Sequence, residues 1–407
     1  MAGRWYGIAL TLLSYLSCEF AIGWCLMMIA LETLLVILIS GSIVFYLACI
    51  LFTRQFFAST PQITDPNDAP VSILVPVCGV DAGAWENWSS LCTQNYQEYE
   101  VLFGVKDFDD PAVPVLKELV AKFSDRARLF VGLEPRGINH KDSNLSYLLE
   151  EAKHEVIIFA DSDIRVNADY IRTVTAPLSD KEVGMVTCAY VGRNPESLGA
   201  ALASFGRCFD FIPSASIARA MDGGVRFAIG VTIATRRSTL ADYGGLHLNR
   251  IGSDYNLGKR AAMAGYRVEL SRYVLDSDTG GESIGEVFRR ELRWARTIRF
   301  NRGPIYYTMV FCYGTVFCIP LLLLSGFAGW AIALTLITYI IRYIQVLVAL
   351  SIMNCPKLLP WLWAVPLRDL LSLIIWARGA YGQQVYWRGR WLQVEGDGLL
   401  KEGLKKG

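Results

Sequence analysis

VIIFADSD, residues 156–163, combines the pattern of a buried strand with two carboxylates directly after it. Five consecutive apolar residues, three of them β-branched, predict a central strand that is covered on both faces. Asp161 and Asp163 follow at its carboxyl end, where open α/β sheets bind their ligands, and both point to the same side of the chain. Two hard oxygen donors in this position suit a divalent cation that bridges to phosphates. A solvated turn after a strand is the alternative interpretation of this segment taken alone.

The segments on either side of this strand alternate between strand-like and helical patterns. The predicted strands are residues 71–77, 99–105, 128–131, 156–160, 183–190, 227–235 and 267–270. Strands that alternate with helices of about ten to fifteen residues are typical of βαβ units around a parallel sheet. This part of the chain is therefore predicted to be an α/β domain.

Hydrophobic residues make up 53% of the 407-residue chain and concentrate at its two ends. A bilayer core requires about 20 apolar residues per helix. The distribution predicts five regions: an N-terminal membrane anchor of one or two spans (1–53), a globular domain (54–283), an amphipathic interface helix (284–305), a C-terminal membrane region (306–385) and a tail (386–407).

The C-terminal membrane region has two or three hydrophobic segments, and the last of these contains Arg368 and Asp369. Charges inside a membrane segment usually face protein or water, so this segment is predicted to be either a third span or a re-entrant helix. Arg54 follows the first apolar stretch, and arginines crowd residues 289–302 before the next one. Positive flanks on both sides place the globular domain in the cytoplasm. The ten cysteines and three histidines lack the spacing of a zinc site or a disulfide framework.

A second acidic cluster, Asp107, Asp109 and Asp110, follows the predicted strand 99–105. Because parallel strands end at the same edge of a sheet, this cluster can converge with the first carboxylate pair on one crevice. One cluster could bind a nucleoside while the other binds the metal. The alternative is a helix N-cap, since Asp110-Pro111 precedes a helical segment and Asp is favoured there.

Two further segments have residues suited to catalysis. Asp254 opens a predicted helix, where it either stabilises the first turn or acts as a general base that takes a proton from an attacking hydroxyl. Residues 284–302 form an amphipathic pattern with a basic face, as helices at a membrane interface do. Positive-inside bias would explain the arginines, but Arg290-x-x-Arg293-Trp294 also offers guanidinium groups that can bind a diphosphate.

Together these motifs resemble the family-2-type glycosyltransferases with the GT-A fold, and more narrowly the ceramide glucosyltransferase family (family 21) and its bacterial relatives. The resemblance covers about residues 30–395, nearly the whole chain. The motifs that carry it are Pro76, Gly79-Val80-Asp81, Asp107-Phe108-Asp109-Asp110-Pro111-Ala112, Gly137-Ile138-Asn139-His140-Lys141 with Asn144, Asp161-Ser162-Asp163-Ile164-Arg165-Val166, Asp254-Tyr255 and Arg290-x-x-Arg293-Trp294. The resemblance implies a GT-A catalytic domain, with a Rossmann-like mixed sheet, between N- and C-terminal transmembrane helices.

The resemblance also implies a role for each motif. Asp161 and Asp163 would bind Mg²⁺ or Mn²⁺, and Asp254 would be the catalytic base. The residues implied to bind the nucleotide-sugar are Asp107, Asp109, Asp110, Lys141, Asp161, Arg290, Arg293 and Trp294. Arg290 stands where related polysaccharide synthases have Gln, which favours the ceramide-type branch. Residues 205–210 lack the histidine that animal ceramide enzymes have near the acceptor, so the acceptor stays open.

The expected function is inverting transfer of a sugar, most simply glucose, from a UDP-sugar to the primary hydroxyl of a membrane lipid, most simply ceramide, to give a β-glycolipid. Three alternatives remain. The acceptor could be a hopanoid or another lipid, with a donor such as UDP-N-acetylglucosamine. A polysaccharide synthase would need a transmembrane channel, for which these spans are too few. A non-catalytic nucleotide-sugar-binding membrane protein is the third.

The expected partners are the UDP-sugar, the lipid acceptor and the bilayer, without nucleic acid. The resemblance implies an integral protein of a bacterial inner membrane, with its catalytic domain in the cytoplasm.

Overall fold

A computed structural model describes residues 2–58, 68–277, 280–387 and 389–402, with side chains from residue 23 onward except that of residue 397. Its strands are β1 (Val71–Val77), β2 (Tyr99–Val105), β3 (Ala127–Val131), β4 (Val156–Ala160), β5 (Val183–Val191), β6 (Thr232–Arg236), β7 (Arg267–Asp276), β8 (Gln384–Trp387), β9 (Arg390–Val394) and β10 (Leu400–Glu402). The α-helices are α1 (Ala2–Ala58), α2 (Ala84–Cys92), α3 (Ala112–Lys122), α4 (His140–Glu151), α5 (Tyr170–Thr175), α6 (Leu198–Phe205), α7 (Ile212–Asp222), α8 (Arg237–Asp242), α9 (Ser253–Met263), α10 (Ile284–Arg302), α11 (Gly314–Leu324), α12 (Gly329–Ile352) and α13 (Val365–Gly379).

Shorter helical segments complete the described structure. A π-helix, Gly206–Phe211, joins α6 to α7. The 3₁₀ segments are Ala176–Ser179, Gly303–Cys312, Pro356–Ala364 and Gly396–Gly398.

The predicted α/β class is confirmed by a seven-stranded sheet in the order β3-β2-β1-β4-β6-β5-β7. Strands β1 to β4 pair in parallel, whereas β6 runs antiparallel to both β4 and β5, so the sheet is mixed. The predictions at 71–77, 99–105 and 156–160 coincide with β1, β2 and β4. All five residues of β4 are buried, as a continuous apolar run in a covered strand requires.

The prediction of a strand over 227–235 is wrong for its first half, because β6 begins at Thr232. The preceding residues form a loop whose backbone is bound by side chains. The Ile229 amide donates to the Thr187 hydroxyl at 2.8 Å, and Lys141 Nζ donates to the Gly230 carbonyl at 3.0 Å. An apolar run alone does not distinguish such a loop from a strand.

Three helices are long and apolar enough to cross a membrane: the Gly23–Ala58 part of α1, α12, and the segment Pro356–Gly379. A bent pair of helices, Ile284–Cys312 with Gly314–Leu324, would make a fourth. The N-terminal apolar stretch forms one continuous helix, because α1 runs unbroken for 57 residues. Its residues Leu35 and Ile39 pack against α11 and α12.

Segment Pro356–Gly379 has both of its ends near the globular domain. Just before it, the Met353 carbonyl accepts a hydrogen bond from Arg193 Nε at 3.3 Å. Just after it, the Tyr381 carbonyl accepts from Arg296 Nε on α10 at 3.3 Å. A straight crossing helix of this length, 24 residues, would separate its ends by about 36 Å. Whether this segment is a third span or a re-entrant helix stays a prediction.

The tail forms a three-stranded antiparallel sheet, β10-β9-β8, that packs on the globular domain. The Leu400 amide donates to the Asn249 carbonyl and the Ile251 amide to the Gly398 carbonyl, at 2.8 and 2.9 Å. Its apolar residues Val385 and Leu392 are buried with Ile251. The tail therefore lies on the same side of the hydrophobic helices as the globular domain.

A buried network of charges joins this domain to the hydrophobic helices. Arg342 on α12, 1% exposed, pairs with Asp369 on α13 and, at 2.8 Å, with Asp210 on the π-helix. Arg368, the residue before Asp369, pairs with Glu291 on α10 at 2.8 Å. Buried charges are tolerated when they are paired and hydrogen-bonded, so this network is a structural joint between α10, α12, α13 and the π-helix.

Candidate active site

The carboxylates after β4 lie in a turn that is held by other segments of the domain. The Asp161 amide donates to the Val231 carbonyl at 3.0 Å, and Trp88 Nε1 donates to the Ser162 carbonyl at 3.1 Å. Lys141, in the first turn of α4, pairs with the Asp161 carboxylate and also donates to the Gly230 carbonyl. The predicted residues Lys141 and Asp161 are thus in direct contact although 20 positions separate them.

Asp110 connects the second acidic cluster to the end of β1. Its carboxylate accepts from the Gly79 amide at 3.0 and 3.1 Å and from the Ala112 amide, at the start of α3, at 2.8 Å. Gly79 has φ +75°, a conformation that favours glycine. Asp110 therefore stabilises the start of α3 and at the same time holds the Gly79–Asp81 turn beside the carboxylates after β4.

The electrostatic environment of Asp163 shows which charges surround this turn. Burial, the Asp161 carboxylate and the Asp81 carboxylate raise the pKa of Asp163 to about 6, while Arg207 and Lys141 act in the opposite direction. Two carboxylates that share a site resist ionising together, and a bound cation removes that penalty. Asp161 and Asp163 therefore fit a divalent cation, which would take its remaining ligands from phosphate oxygens and water. No cluster of three or more His, Cys, Asp or Glu suited to a metal occurs in the described part of the chain.

Asp254 lies in the first turn of α9, and its carboxylate borders the same crevice. The helix begins after Gly252, whose φ of +60° suits a glycine. A Cβ built on Gly230 would lie only 2.7 Å from Asp254 Oδ2, so the carboxylate packs directly against the backbone that Lys141 binds. Lys141, Gly230, Ser253 and Asp254 line a common pocket. Three distant parts of the sequence thus meet at one point.

We predict that Gly230→Ala lowers turnover by about 10- to 100-fold, because displacement of a reacting group by about 1 Å has that effect. The added methyl group would force Asp254 to move, since the contact would be shorter than real Cβ contacts allow. Turnover and thermal unfolding are measured for Gly230→Ala and for a control variant. Gly396→Ala is the control, because nothing lies within 4 Å of its Cβ position. Unchanged turnover in Gly230→Ala would show that the position of Asp254 is unimportant.

Asp142 is a residue of this crevice that the sequence patterns did not indicate. It is 3% exposed, and its carboxylate accepts from Asn139 Nδ2 at 2.8 Å. Burial raises the pKa of Asp142 from 3.8 to about 7, against the lowering effects of the Ser253 hydroxyl and of Lys141. In the sequence Asp142 is an ordinary acidic residue in the first turn of a helix. Only the structure shows that its carboxyl group is buried in the crevice.

We predict that the stability of Asp142→Asn, relative to the wild type, is greater at pH 8 than at pH 5. Because the pKa of Asp142 is higher in the folded protein, the folded state holds its proton more tightly between pH 3.8 and about 7. Over that range this carboxyl makes the wild-type protein less stable as pH rises, by about 1.4 kcal/mol per pH unit. Asparagine removes the dependence. Thermal unfolding from pH 5 to 8 measures it, with exposed Asp222→Asn as control. Parallel curves for wild type and Asp142→Asn would contradict the prediction.

Helix α10 carries the predicted diphosphate-binding residues Arg290, Arg293 and Trp294. It starts with a capping box between Ser283 and Glu286. Arg290 pairs with Glu282 and lies 5.2 Å from the ring centroid of Trp294, measured from Cζ. Within the described residues, Arg290 Nε and Nη2 are buried without a hydrogen-bond partner. Arg290 therefore has donors available for an anion.

Three of the predicted residues have contacts or exposure that do not involve Asp161 or Asp163. Arg293 lies 5.3 Å from the ring centroid of Trp387 on β8, and it lines a separate groove with Arg289 and Arg296. Asp107 is exposed and pairs with Lys106 at 2.8 Å, and Asp109 is exposed. The binding and catalytic roles of all the predicted site residues stay predictions: Asp107, Asp109, Asp110, Lys141, Asp161, Asp163, Asp254, Arg290, Arg293 and Trp294.

The family of the chain follows from comparison with known proteins. A model of glycosyl transferase family 21 matches residues 33–400. The chain belongs to glycosyl transferase family 21. The resemblance seen in the sequence motifs is thereby confirmed, and the chain is placed among glycosyltransferases.

Similar proteins include two from Caenorhabditis elegans. Ceramide glucosyltransferase 3 is 27% identical over 242 residues, which are 56% of this chain and 50% of that protein. Ceramide glucosyltransferase 1 is 23% identical over 239 residues, 57% of this chain and 50% of that protein. The chain spans about half the length of the curated relatives that it matches.

The solved structure of another protein has a fold similar to that of this family 21 chain. The mannosyltransferase PcManGT from Pyrobaculum calidifontis, in complex with GDP-Man and Mn²⁺, superposes with a TM-score of 0.52 and 16% identity. The superposition covers 86% of this chain and 99% of that one. The predicted GT-A fold, with hydrophobic helices at both ends, is confirmed.

Proposed function

We propose that this family 21 protein transfers a sugar from a UDP-sugar to the primary hydroxyl of a membrane lipid, with inversion to a β-glycolipid. Glucose and ceramide are the first choice of sugar and acceptor, because the relatives from C. elegans are ceramide glucosyltransferases. The observation that carries the proposal is that Lys141 pairs with Asp161 and binds the Gly230 carbonyl, while Asp254 packs against the α-carbon of Gly230. A metal and diphosphate site beside a carboxylate base is what a single displacement at a sugar carbon requires.

The donor would bind at the ends of β2 and β4. Asp107, Asp109, Asp110 and Lys141 are the proposed contacts to the nucleotide. Asp161 and Asp163 would hold Mg²⁺ or Mn²⁺, and the fold neighbour PcManGT was solved with Mn²⁺. Such an ion supplies Lewis acidity, which neutralises charge on a diphosphate.

The acceptor hydroxyl would approach from the side of Asp254. In the proposed mechanism Asp254 takes the hydroxyl proton while the acceptor oxygen attacks the anomeric carbon opposite UDP. Arg290, Arg293 and Trp294 would stabilise the diphosphate and position the acceptor, since guanidinium groups bind phosphates with charge-assisted hydrogen bonds. A single displacement at the anomeric carbon inverts an α-linked donor into a β-linked product.

The arrangement of the helices supports a lipid acceptor. The helix with Arg290 is tied by Glu291 to Arg368 of the hydrophobic segment. Its apolar residues Phe288 and Ile298 pack towards α13, with which α10 forms a cluster. A crevice bordered by an amphipathic interface helix would lie at headgroup level. We propose that the protein resides in a bacterial inner membrane with this domain in the cytoplasm.

Transfer assays with the full chain in lipid nanodiscs test the proposal. The protein is incubated with labelled UDP-glucose or UDP-N-acetylglucosamine, Mg²⁺ or Mn²⁺, and ceramide or a hopanoid, and products are identified by mass spectrometry. We expect a β-linked glycolipid, with ceramide and UDP-glucose as the most active pair, and a requirement for the metal.

The outcomes separate the remaining alternatives. Transfer to the hopanoid alone would retain the reaction class and replace the acceptor. Long polymeric products would indicate a polysaccharide synthase. Binding of UDP-sugar without transfer to any lipid, and without release of UDP, would reduce the protein to a nucleotide-sugar-binding protein.

A further inference from the structure

Arg207 is a buried arginine beside the candidate active site. It lies on the π-helix between α6 and α7 and is 4% exposed. Its guanidinium carbon is 4.8 Å from the ring centroid of Tyr190, and its Nη1 donates to the Ser277 carbonyl at 3.2 Å. Its Nε is buried without a partner among the described residues. Buried donors are normally satisfied, so this one indicates a missing acceptor.

A second arginine with free donors lies near Arg207. Both Arg207 and Arg290 lower the pKa of Tyr190, which burial raises, while Asp163 and Asp161 raise it further. Tyr190 therefore lies within electrostatic range of two guanidinium groups and of the two carboxylates after β4. Burial and the nearby Arg290 charge lower the pKa of Arg207 itself. Neighbouring like charges disfavour the charged form of each group, and an anion bound near both would remove that penalty.

Arg207 forms no ion pair with a described residue, and the charges of Glu291 and Asp163 act on it only at longer range. Its neighbour Arg290 has Glu282 as an ion-pair partner, whereas no carboxylate of the described part of the chain forms an ion pair with Arg207. A buried charge needs a partner or a strong hydrogen bond. The Nε of Arg207 and the Nε and Nη2 of Arg290 are three buried donors without a partner among the described residues, on two arginines whose charges act on each other.

The π-helix explains how Arg207 reaches this position. A π-bulge shifts the side chains of a helix by about one position and is frequent at functional sites. On the same turn Asp210 faces the other way and pairs with Arg342 of α12. Gly206 allows Arg368 to approach, since a Cβ there would fall 2.1 Å from its guanidinium. The turn that carries Arg207 is thus fixed to the hydrophobic helices.

We propose that Arg207 binds the diphosphate of the nucleotide-sugar donor, together with Arg290 and across from Asp161 and Asp163. The inference rests on the proposed function. As the bond from the anomeric carbon to the diphosphate oxygen breaks, its electron pair stays on that oxygen, and Arg207 stabilises the added charge. The acceptor oxygen forms the new bond to the same carbon, and its proton passes to Asp254. A guanidinium fork suits a diphosphate better than a point charge does.

Binding measurements with the full chain in nanodiscs test this role. UDP and uridine are titrated, with Mg²⁺ present, into the wild type, Arg207→Lys and Arg207→Met. We expect Arg207→Met to weaken UDP binding by about 10- to 100-fold, the usual value of a hydrogen bond to a charged group. Uridine, which lacks phosphate, should bind all three equally, and Arg207→Lys should lose less than Arg207→Met. Arg219→Gln, an arginine of α7 paired with Glu269, is the control and should bind UDP as the wild type does.

The results distinguish this inference from the proposed function. Wild-type protein that binds no UDP would overturn both. Wild-type protein that binds UDP, with unchanged UDP affinity in folded Arg207→Met, would overturn the role of Arg207 alone. Equal losses for UDP and uridine would assign Arg207 a structural role and overturn the inference. If Arg207→Met does not fold, Arg207→Lys decides: a loss for UDP with none for uridine supports the inference, and any other result overturns it.

Discussion

Replacing Arg342 by methionine should lower the free energy of unfolding by about 3–5 kcal/mol, the cost of removing one partner from a buried ion pair. Arg342 is 1% exposed and lies between Asp369 and Asp210. Its removal leaves both carboxylates facing an apolar side chain. Unfolding of the detergent-solubilised protein, followed by denaturant titration, measures the loss.

Two further variants show whether the loss comes from unpaired charge. Arg54→Met, at an exposed position on α1, should change stability by less than about 0.5 kcal/mol. The double variant Arg342→Met with Asp369→Leu leaves fewer unpaired charges and should be more stable than Arg342→Met alone. An Arg342→Met protein as stable as the wild type would mean that the network has no structural role.

Asp254→Asn should reduce kcat by about 10²- to 10⁴-fold, the usual contribution of a general base. Asparagine has nearly the same shape but does not accept the hydroxyl proton. Because the proposed donor contacts lie on other residues, KM for the UDP-sugar should change little. Initial rates with the best donor and acceptor pair give both constants.

The control for this variant is Asp222→Asn, at the exposed end of α7, which should retain full activity. An Asp254→Asn enzyme with wild-type turnover would exclude Asp254 as the base. A rise in KM without loss of kcat would instead indicate that Asp254 binds substrate equally in the ground and transition states.

Several elements could be predicted from the sequence because each has a local pattern. The apolar run of β4 and the carboxylates that follow it form one continuous segment, so strand and strand end are both visible. The apolar face of α10 recurs with helical periodicity, and Val287 and Ala295 are indeed buried. Asp110 was expected either at the nucleoside or at a helix start, and it does bind the first amide of α3.

Other features have no local pattern. Residues 227–231 are as apolar as a strand but form the loop that presents Gly230 to Lys141 and Asp254. Arg207 lies in an apolar segment where the sequence shows an isolated charge and nothing of what surrounds it. Its significance depends on Tyr190 and Arg290, 17 and 83 positions away.

Local patterns were enough to predict most strands of the seven-stranded sheet, the hydrophobic helices, the acidic strand ends and the basic face of α10, because burial and periodicity act on neighbouring residues. Contacts between distant segments set the antiparallel direction of β6, tie the residues that flank Pro356–Gly379 to Arg193 and Arg296, and pack the tail on the globular domain. They also decide which charges meet in the crevice. These outcomes depend on contacts between distant segments, and the sequence of one segment does not reveal which other segment it contacts.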